Sequence, residues 1–341
     1  MIIGIDDSGN FESDSKSLYA AIFIRPKKYD KIVEVFSSWE SDLPAIAKEN
    51  GEVKGRLLSS DQLAEFTDRV LINNGYGAIK LGVFMIDIDE HNSSSLIGQR
   101  ELNLGQIKAG VDKHYRGKGD EYREIVHQYS QMAAWLNAKS VKTLYKIELL
   151  GITIVKSLNL SILTSVYKGY DKELGKLTMS IDEGIVGRKS VEMYWRDLLR
   201  NQFWNLTSTV EPIIHLTTWR ANHPFVKRFD QYPGSTESLS QFNRTEIDKV
   251  FNFYDSKDKP EVRIADIVAS TYFRFFVQRE DGLKTVMDKM VSQVIIGRPF
   301  TLIRMMNSRH PNAKNPFEDR IDGMTIDDLK VKYEGDRQGS N

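Results

Sequence analysis

Cysteine is absent from all 341 residues. That excludes disulfides, thiolate metal sites and a cysteine nucleophile. The six histidines are scattered, and no H-x-x-x-H or similar spacing joins two of them. A histidine-built zinc site is therefore not expected. No G-x-x-x-x-G-K-[ST] run is present, so a phosphate-cradling P-loop is absent as well. Net charge is missing too: 47 basic residues balance 47 acidic ones. This argues against coating duplex DNA by bulk electrostatics, which needs a strongly basic surface. A local basic groove stays compatible with it. Long apolar runs are lacking; YAAIFI at 19–24 is far too short to span a bilayer. The first residues show no charged segment leading into an apolar one, so no signal peptide is expected. These absences together predict a soluble cytoplasmic protein with no membrane partner.

The apolar share of 40% and charged share of 28% suit an ordinary globular core. IIGID (2–6) and SLYAAIFIRP (17–26) read as a β-hairpin with a long polar connection. Ile32, Val33, Phe36 and Trp39 carry helical spacing over 28–39. Ser59 with Gln62 predicts a capping box, and Leu58 with Leu63 a hydrophobic staple, for a helix running to about Leu71. GAIKLGVFMIDID (77–89) reads as a buried strand, residues 121–138 and 140–158 as two long helices, and LTMSID (177–182) as a strand. A helix over GRKSVEMYWRDLLRNQF and a strand over 211–219 follow; 222–258 is polar and reads as loops. KPEVRIADIVASTYFRFFVQR (259–279) is a strong helix, with Pro260 in its first turn. Its core stripe is Ile264, Ile267, Val268, Thr271, Tyr272 and Phe275. The pattern predicts an α/β domain over 1–306, with a mostly helical insertion around 92–170. Residues 307–341 form a C-terminal extension of low apolar density, expected to be partly disordered.

Four carboxylates stand out by position. Asp6, beside Asp7, closes the first strand. Glu52 lies in the glycine-bracketed segment GEVKG. Asp182 ends LTMSID on its polar side, and Asp266 interrupts the apolar helix in RIADIVAS. Two adjacent like charges at a strand end repel, and half-burying them costs free energy unless a cation or a proton intervenes. Mg²⁺ or Mn²⁺ takes oxygen ligands, and a pair of such ions can activate water and stabilise a leaving phosphate oxygen. Alternation puts Asp7 on the side of Ile3 and Ile5, opposite Asp6. Ser8 stands two residues after Asp6, where an aspartyl-phosphate phosphatase usually carries a second Asp. Such a phosphatase is therefore the least favoured reading. Among the basic clusters, Arg188 and Lys189 follow Asp182 closely and are the candidates for phosphate contact. Asp182 could instead be a plain strand exit, Glu52 and Lys54 a solvated loop, and Asp266 the ion-pair partner of Arg263 or another buried cation.

IDDSGNF, GEVKG, SIDEG and RIADIVAS, in that order, resemble the bacterial family catalogued as domain of unknown function 3800. Its members open with a strand ending in a D-[ED]-S-G turn. They carry an E-x-K segment, a later strand with a terminal Asp and a late A-D-[IL]-V helix. The resemblance covers roughly residues 1–280 and implies a ribonuclease H-like mixed sheet flanked by helices. It further implies that Asp6, Glu52, Asp182 and Asp266 hold one or two Mg²⁺ or Mn²⁺ ions, with Lys54 beside them on the substrate phosphate. Ser8 would orient Asp6 or accept a backbone bond in the turn. The expected function is a metal-dependent nuclease acting on RNA or DNA. The alternative is a non-catalytic nucleic-acid-binding or regulatory module that keeps the fold. A ribonuclease H-like order runs three antiparallel strands before its first helix, whereas here a helix and the Glu52 segment precede strand 77–89. Asp87 or Asp89, at the end of that strand, therefore competes with Glu52 for its role.

Overall fold

The computed structural model describes residues 1–9, 16–75, 77–87, 123–138, 176–185, 226–230, 238–242, 249–295 and 301–302, with isolated positions between 97 and 161 and at 246. Its centre is a mixed sheet. The strands are β1 (Ile2–Ser8), β2 (Lys16–Ile24), β5 (Ile79–Asp87), β6 (Thr178–Asp182), β9 (Phe251–Tyr254) and the two-residue edge β10 (Thr301–Leu302), in the order β10-β5-β2-β1-β6-β9. Two small hairpins stand apart: β3 (Lys48–Glu49) with β4 (Glu52–Val53), and β7 (Val226–Asp230) with β8 (Ser238–Phe242). The helices are α1 (Tyr29–Asp42), α2 (Ser60–Phe66), α3 (Arg123–Ala138), α4 (Pro260–Phe276) and α5 (Lys284–Val291).

β1 and β2 pair antiparallel, as do β2 and β5, whereas β6 lies parallel to β1 and β9 parallel to β6. The hairpin read at 2–26 is present, but β1 runs two residues further than expected, through Ser8. Asp6 and Asp7 therefore lie inside the ladder, opposite Ala20 and Tyr19. The unbroken apolar run of β2 follows from its central place. Both of its faces are covered, so eight of its nine residues are buried.

Its even positions, Leu18, Ala20, Ile22 and Ile24, share one core with Phe36 and Trp39 of α1, Leu63 and Phe66 of α2, and Ile264, Ile267 and Tyr272 of α4. The Phe36, Trp39 and Phe66 rings meet at centroid separations of 5.1 to 6.4 Å, within the range of favourable aromatic contact. On the other face, Ile3, Ile5, Tyr19 and Phe23 are buried, as are the helical positions Leu150, Ile154, Leu158 and Leu160. A Cβ placed on Gly82 would lie 3.0 Å from the Phe23 ring and 3.2 Å from Leu160, which locates that covering layer.

The capping box at Ser59 and Gln62 forms as read. The α2 segment then widens into a π-helical turn over Thr67–Ile72, within the predicted helix length. Inside the stretch read as loops, 222–258, three strands are found: β7, β8 and β9. Among the described residues, no helix is long and apolar enough to cross a membrane. The predicted helix after Gly187, the strand over 211–219 and the extension 307–341 lie outside the described residues.

Candidate functional site

α4 crosses the sheet close to β1 because residue 4 has no side chain. A Cβ on Gly4 would sit 2.2 Å from the Glu261 carbonyl oxygen. At that crossing the buried Glu261 carboxylate accepts from Tyr29 Oη at 2.6 Å and from Ser180 Oγ at 2.7 Å. One carboxylate thus ties α4 to α1 and to β6. Asp266 follows on the same helix, and its place over the strand ends is set by this seat.

Asp6 is 7% exposed, and its Oδ1 accepts the Asp7 N–H at 2.7 Å. The parallel register pairs Ile5 with Ile181, so the next step along both strands brings Asp6 beside Asp182 on the α4 side. Asp182 Oδ2 accepts the Gly184 N–H at 3.1 Å. Asp266 Oδ2 accepts the Gly55 N–H at 3.2 Å, and Ser270 Oγ stands 3.5 Å from Oδ1. Arg263, the alternative partner for Asp266, pairs instead with Glu40 at 3.3 Å.

Glu52 does not sit on a solvated loop. It belongs to β4 and is 5% exposed. The chain after it lies directly on α4, because a Cβ on Gly55 would be 2.7 Å from Ser270 Cβ and 2.8 Å from Ile267 Cα. Arg274 fastens this segment. Its Nη1 donates to Leu58 O at 2.6 Å and Gly55 O at 3.3 Å, while Nε and Nη2 hold Glu280 at 2.7 Å each. Lys54 Nζ reaches Glu52 Oε2 at 3.0 Å. The other Glu52 oxygen, Oε1, is buried and has no hydrogen-bond partner.

Four separate parts of the chain therefore share one field. Burial raises the Asp6 carboxyl well above the usual range, and Asp266, Asp182 and Asp7 push it further. Burial also raises Asp182, with help from Asp7, to about 6, against the pull of Lys54. Asp266 is raised by burial as well, opposed by the Gly55 N–H and Lys54. Lys54 is half-buried, and burial works against its charge. Its bond to Glu52 and the fields of Asp266, Glu52 and Asp6 outweigh that, so its ammonium is held charged more firmly than usual. Several carboxylates thus face one ammonium in a poorly solvated space, where neutralising charge is favoured.

Asp6, Glu52, Lys54, Asp182 and Asp266 are brought into this common field. Ser8 contributes its carbonyl, which accepts from Ser17 Oγ at 3.2 Å, while the bond that orients Asp6 comes from the Asp7 N–H. Arg188, Lys189 and Asp89 lie outside the described residues. Asp87 closes β5 opposite Lys16, with β2 lying between β5 and β1. Among the described residues, no three acidic or histidine side chains form a group that could hold a metal ion. Sequence reading passed over Glu261 and Arg274. Glu261 looks like an ordinary acidic residue in a helix's first turn, and Arg274 like a surface cation in its last. Only the close approach at Gly4 and Gly55 could have signalled them. No protein-family model, curated protein or solved structure matches the chain.

Proposed function

We propose that the acidic cluster binds Mg²⁺ or Mn²⁺ and that the protein is a metal-dependent nuclease on a ribonuclease H-like scaffold, as its resemblance to domain of unknown function 3800 implies. The scaffold reading is supported by strand contiguity. The three antiparallel strands β5, β2 and β1 neighbour one another in space, although α1, the β3–β4 hairpin and α2 intervene along the chain. The site reading is carried by one observation: the buried, unpartnered Oε1 of Glu52, a carboxylate whose charge acts on Asp182 and Asp266. An orphaned carboxylate oxygen in such a place is costly, and a hard cation is its natural partner.

The donor set is all oxygen and strongly acidic, which suits Mg²⁺ or Mn²⁺ in charge and hardness. Its carboxylates are not drawn into one three-ligand group, so binding includes their side chains moving inward. When bound, the cation supplies Lewis-acid polarisation of the phosphate and a nucleophile at neutral pH. Asp6, Asp182, Asp266 and Glu52 would hold it, each ionised on binding. Lys54 offsets charge on the phosphate. β1, β6 and α4 fix the positions from which these groups work.

The test is cleavage of labelled RNA and DNA with Mn²⁺ by wild type, Asp6→Asn and Asp266→Asn. Loss of about 10²-fold or more in either variant is expected, the scale of a removed transition-state charge stabiliser. Equal activity in all three would remove the catalytic assignment. A second reading, the non-catalytic nucleic-acid-binding or regulatory module, is favoured by the spread of the carboxylates and by the Lys54–Glu52 pair. Calorimetry decides: no Mn²⁺ or Mg²⁺ binding, with nucleic-acid binding retained in EDTA, selects it.

A further inference from the structure

We infer that Lys54 is a built-in counter-cation that competes with the divalent ion for the acidic cluster and so sets the threshold of metal binding. This rests on the metal-site reading above and adds a control to it. Lys54 Nζ lies 3.0 Å from Glu52 Oε2, and the same ammonium feels the fields of Asp266 and Asp6. Its positive charge in turn acts on Asp182 and Asp266. It occupies one oxygen of the carboxylate whose other oxygen is buried and unpartnered.

Two features make this an exchange rather than a fixed ion pair. The Lys54 side chain is 27% exposed, against 6% for Glu52, so the ammonium has a route to water that the carboxylate lacks. A lysine also carries its charge on a flexible four-carbon stem with no planar fork to lock it. Glu52 is held more rigidly. It is in a strand, and the segment after it is fastened to α4 through Gly55 and Arg274. When a dication enters, the Glu52 backbone stays in place and Lys54 moves. The ammonium is then released toward water, where a substrate phosphate would meet it. The cluster is thereby kept partly neutralised at low metal concentration, and the metal must displace a tethered charge to bind.

The experiment measures Mn²⁺ binding by calorimetry, without nucleic acid, for wild type, Lys54→Met and Lys54→Arg. Lys54→Met removes the charge and keeps much of the stem; it should bind Mn²⁺ about tenfold more tightly, equivalent to ~1.4 kcal/mol. Lys54→Arg keeps the charge and should bind no more tightly than wild type. Unchanged or weaker Mn²⁺ binding in Lys54→Met overturns the competition while leaving the metal centre standing. Absence of Mn²⁺ binding in all three proteins overturns both readings together. Thermal melts cover the case in which Lys54→Met folds poorly. A variant unfolded in EDTA and recovered by Mn²⁺ supports the exchange, and one unfolded in both opposes it.

Discussion

At Asp182 two demands on one carboxylate conflict. Its place beside Asp6 serves the cluster, yet burial and the Asp7 charge push its carboxyl from the ordinary 3.8 up to about 6. A raised value in the folded protein means the fold favours the protonated form. The associated stability is fully present below the unfolded value and is lost as pH rises through about 6. Asp6 and Asp266 are shifted in the same direction and add to the loss. Asp182→Asn keeps the shape and discards the charge. In EDTA it should melt about 2 °C above wild type at pH 8, a value already discounted for the partly exposed setting of the group. Near pH 4 the two should melt together, because wild type is then protonated. Thermal melts across pH 4–8 check this, and a gap that does not change with pH would show that ionisation of Asp182 is not its cause. Stability gained by removing a candidate catalytic group is the usual signature of a site kept for function.

The helix α4 and the β3–β4 hairpin are set by two missing side chains. Gly4→Ala would drive a methyl into the Glu261 carbonyl, which is backbone and has no rotamer to escape into. The helix must shift, at a cost of about 1–3 kcal/mol for overpacking. The shift also carries Asp266 away from Asp6, so the proposed nuclease activity should fall more steeply than stability. Gly98→Ala meets nothing within 4 Å and should stay within about 0.5 kcal/mol of wild type. Urea unfolding of both variants reads the difference, and equal stability would show that the contact at Gly4 is not a constraint. The same two elements show what was legible beforehand. α4 was readable because Pro260, the apolar stripe and the lone Asp266 are local signals within one helix. So was the capping box of α2, which spans four residues. Glu261 was not, because its burial depends on Gly4, Tyr29 and Ser180, which come from three other elements. The short strands around Glu52 escaped for a different reason. Two residues are too few to show a period of two, so a buried hairpin reads as a polar loop. β9, with the sequence FNFY, is the last strand of the sheet among the described residues and is only partly buried, which weakens its apolar signal.

In the whole molecule, the sheet brings together residues that the unfolded chain keeps far apart. β1, β6 and β9 run in one direction, and Asp6 and Asp182 stand near the carboxyl ends of neighbouring strands. That is the usual binding end of an open α/β sheet. α4 supplies Asp266 from above, and the β4 segment supplies Glu52 from the side. A dication held there, as proposed, would have almost no site in the unfolded chain, so binding would become folding stability. At a Mn²⁺ concentration about 100 times Kd the gain is ~2.7 kcal/mol, which for a chain of this size raises Tm by roughly 5 °C. The sign of the pH dependence should also change. In EDTA, ionising Asp6, Asp182 and Asp266 weakens the fold, so stability from these groups falls as pH rises. With Mn²⁺ the ligands must be deprotonated to bind, so the metal-dependent gain grows over the same range. Melts at pH 5 and pH 8, each with Mn²⁺ and with EDTA, measure both effects in one protein. The expected result is a Mn²⁺ gain several degrees larger at pH 8 than at pH 5, lost in Asp6→Asn and Asp266→Asn. A gain that is absent, or equal at the two pH values, would mean that the shared field of these carboxylates is settled by Lys54 alone.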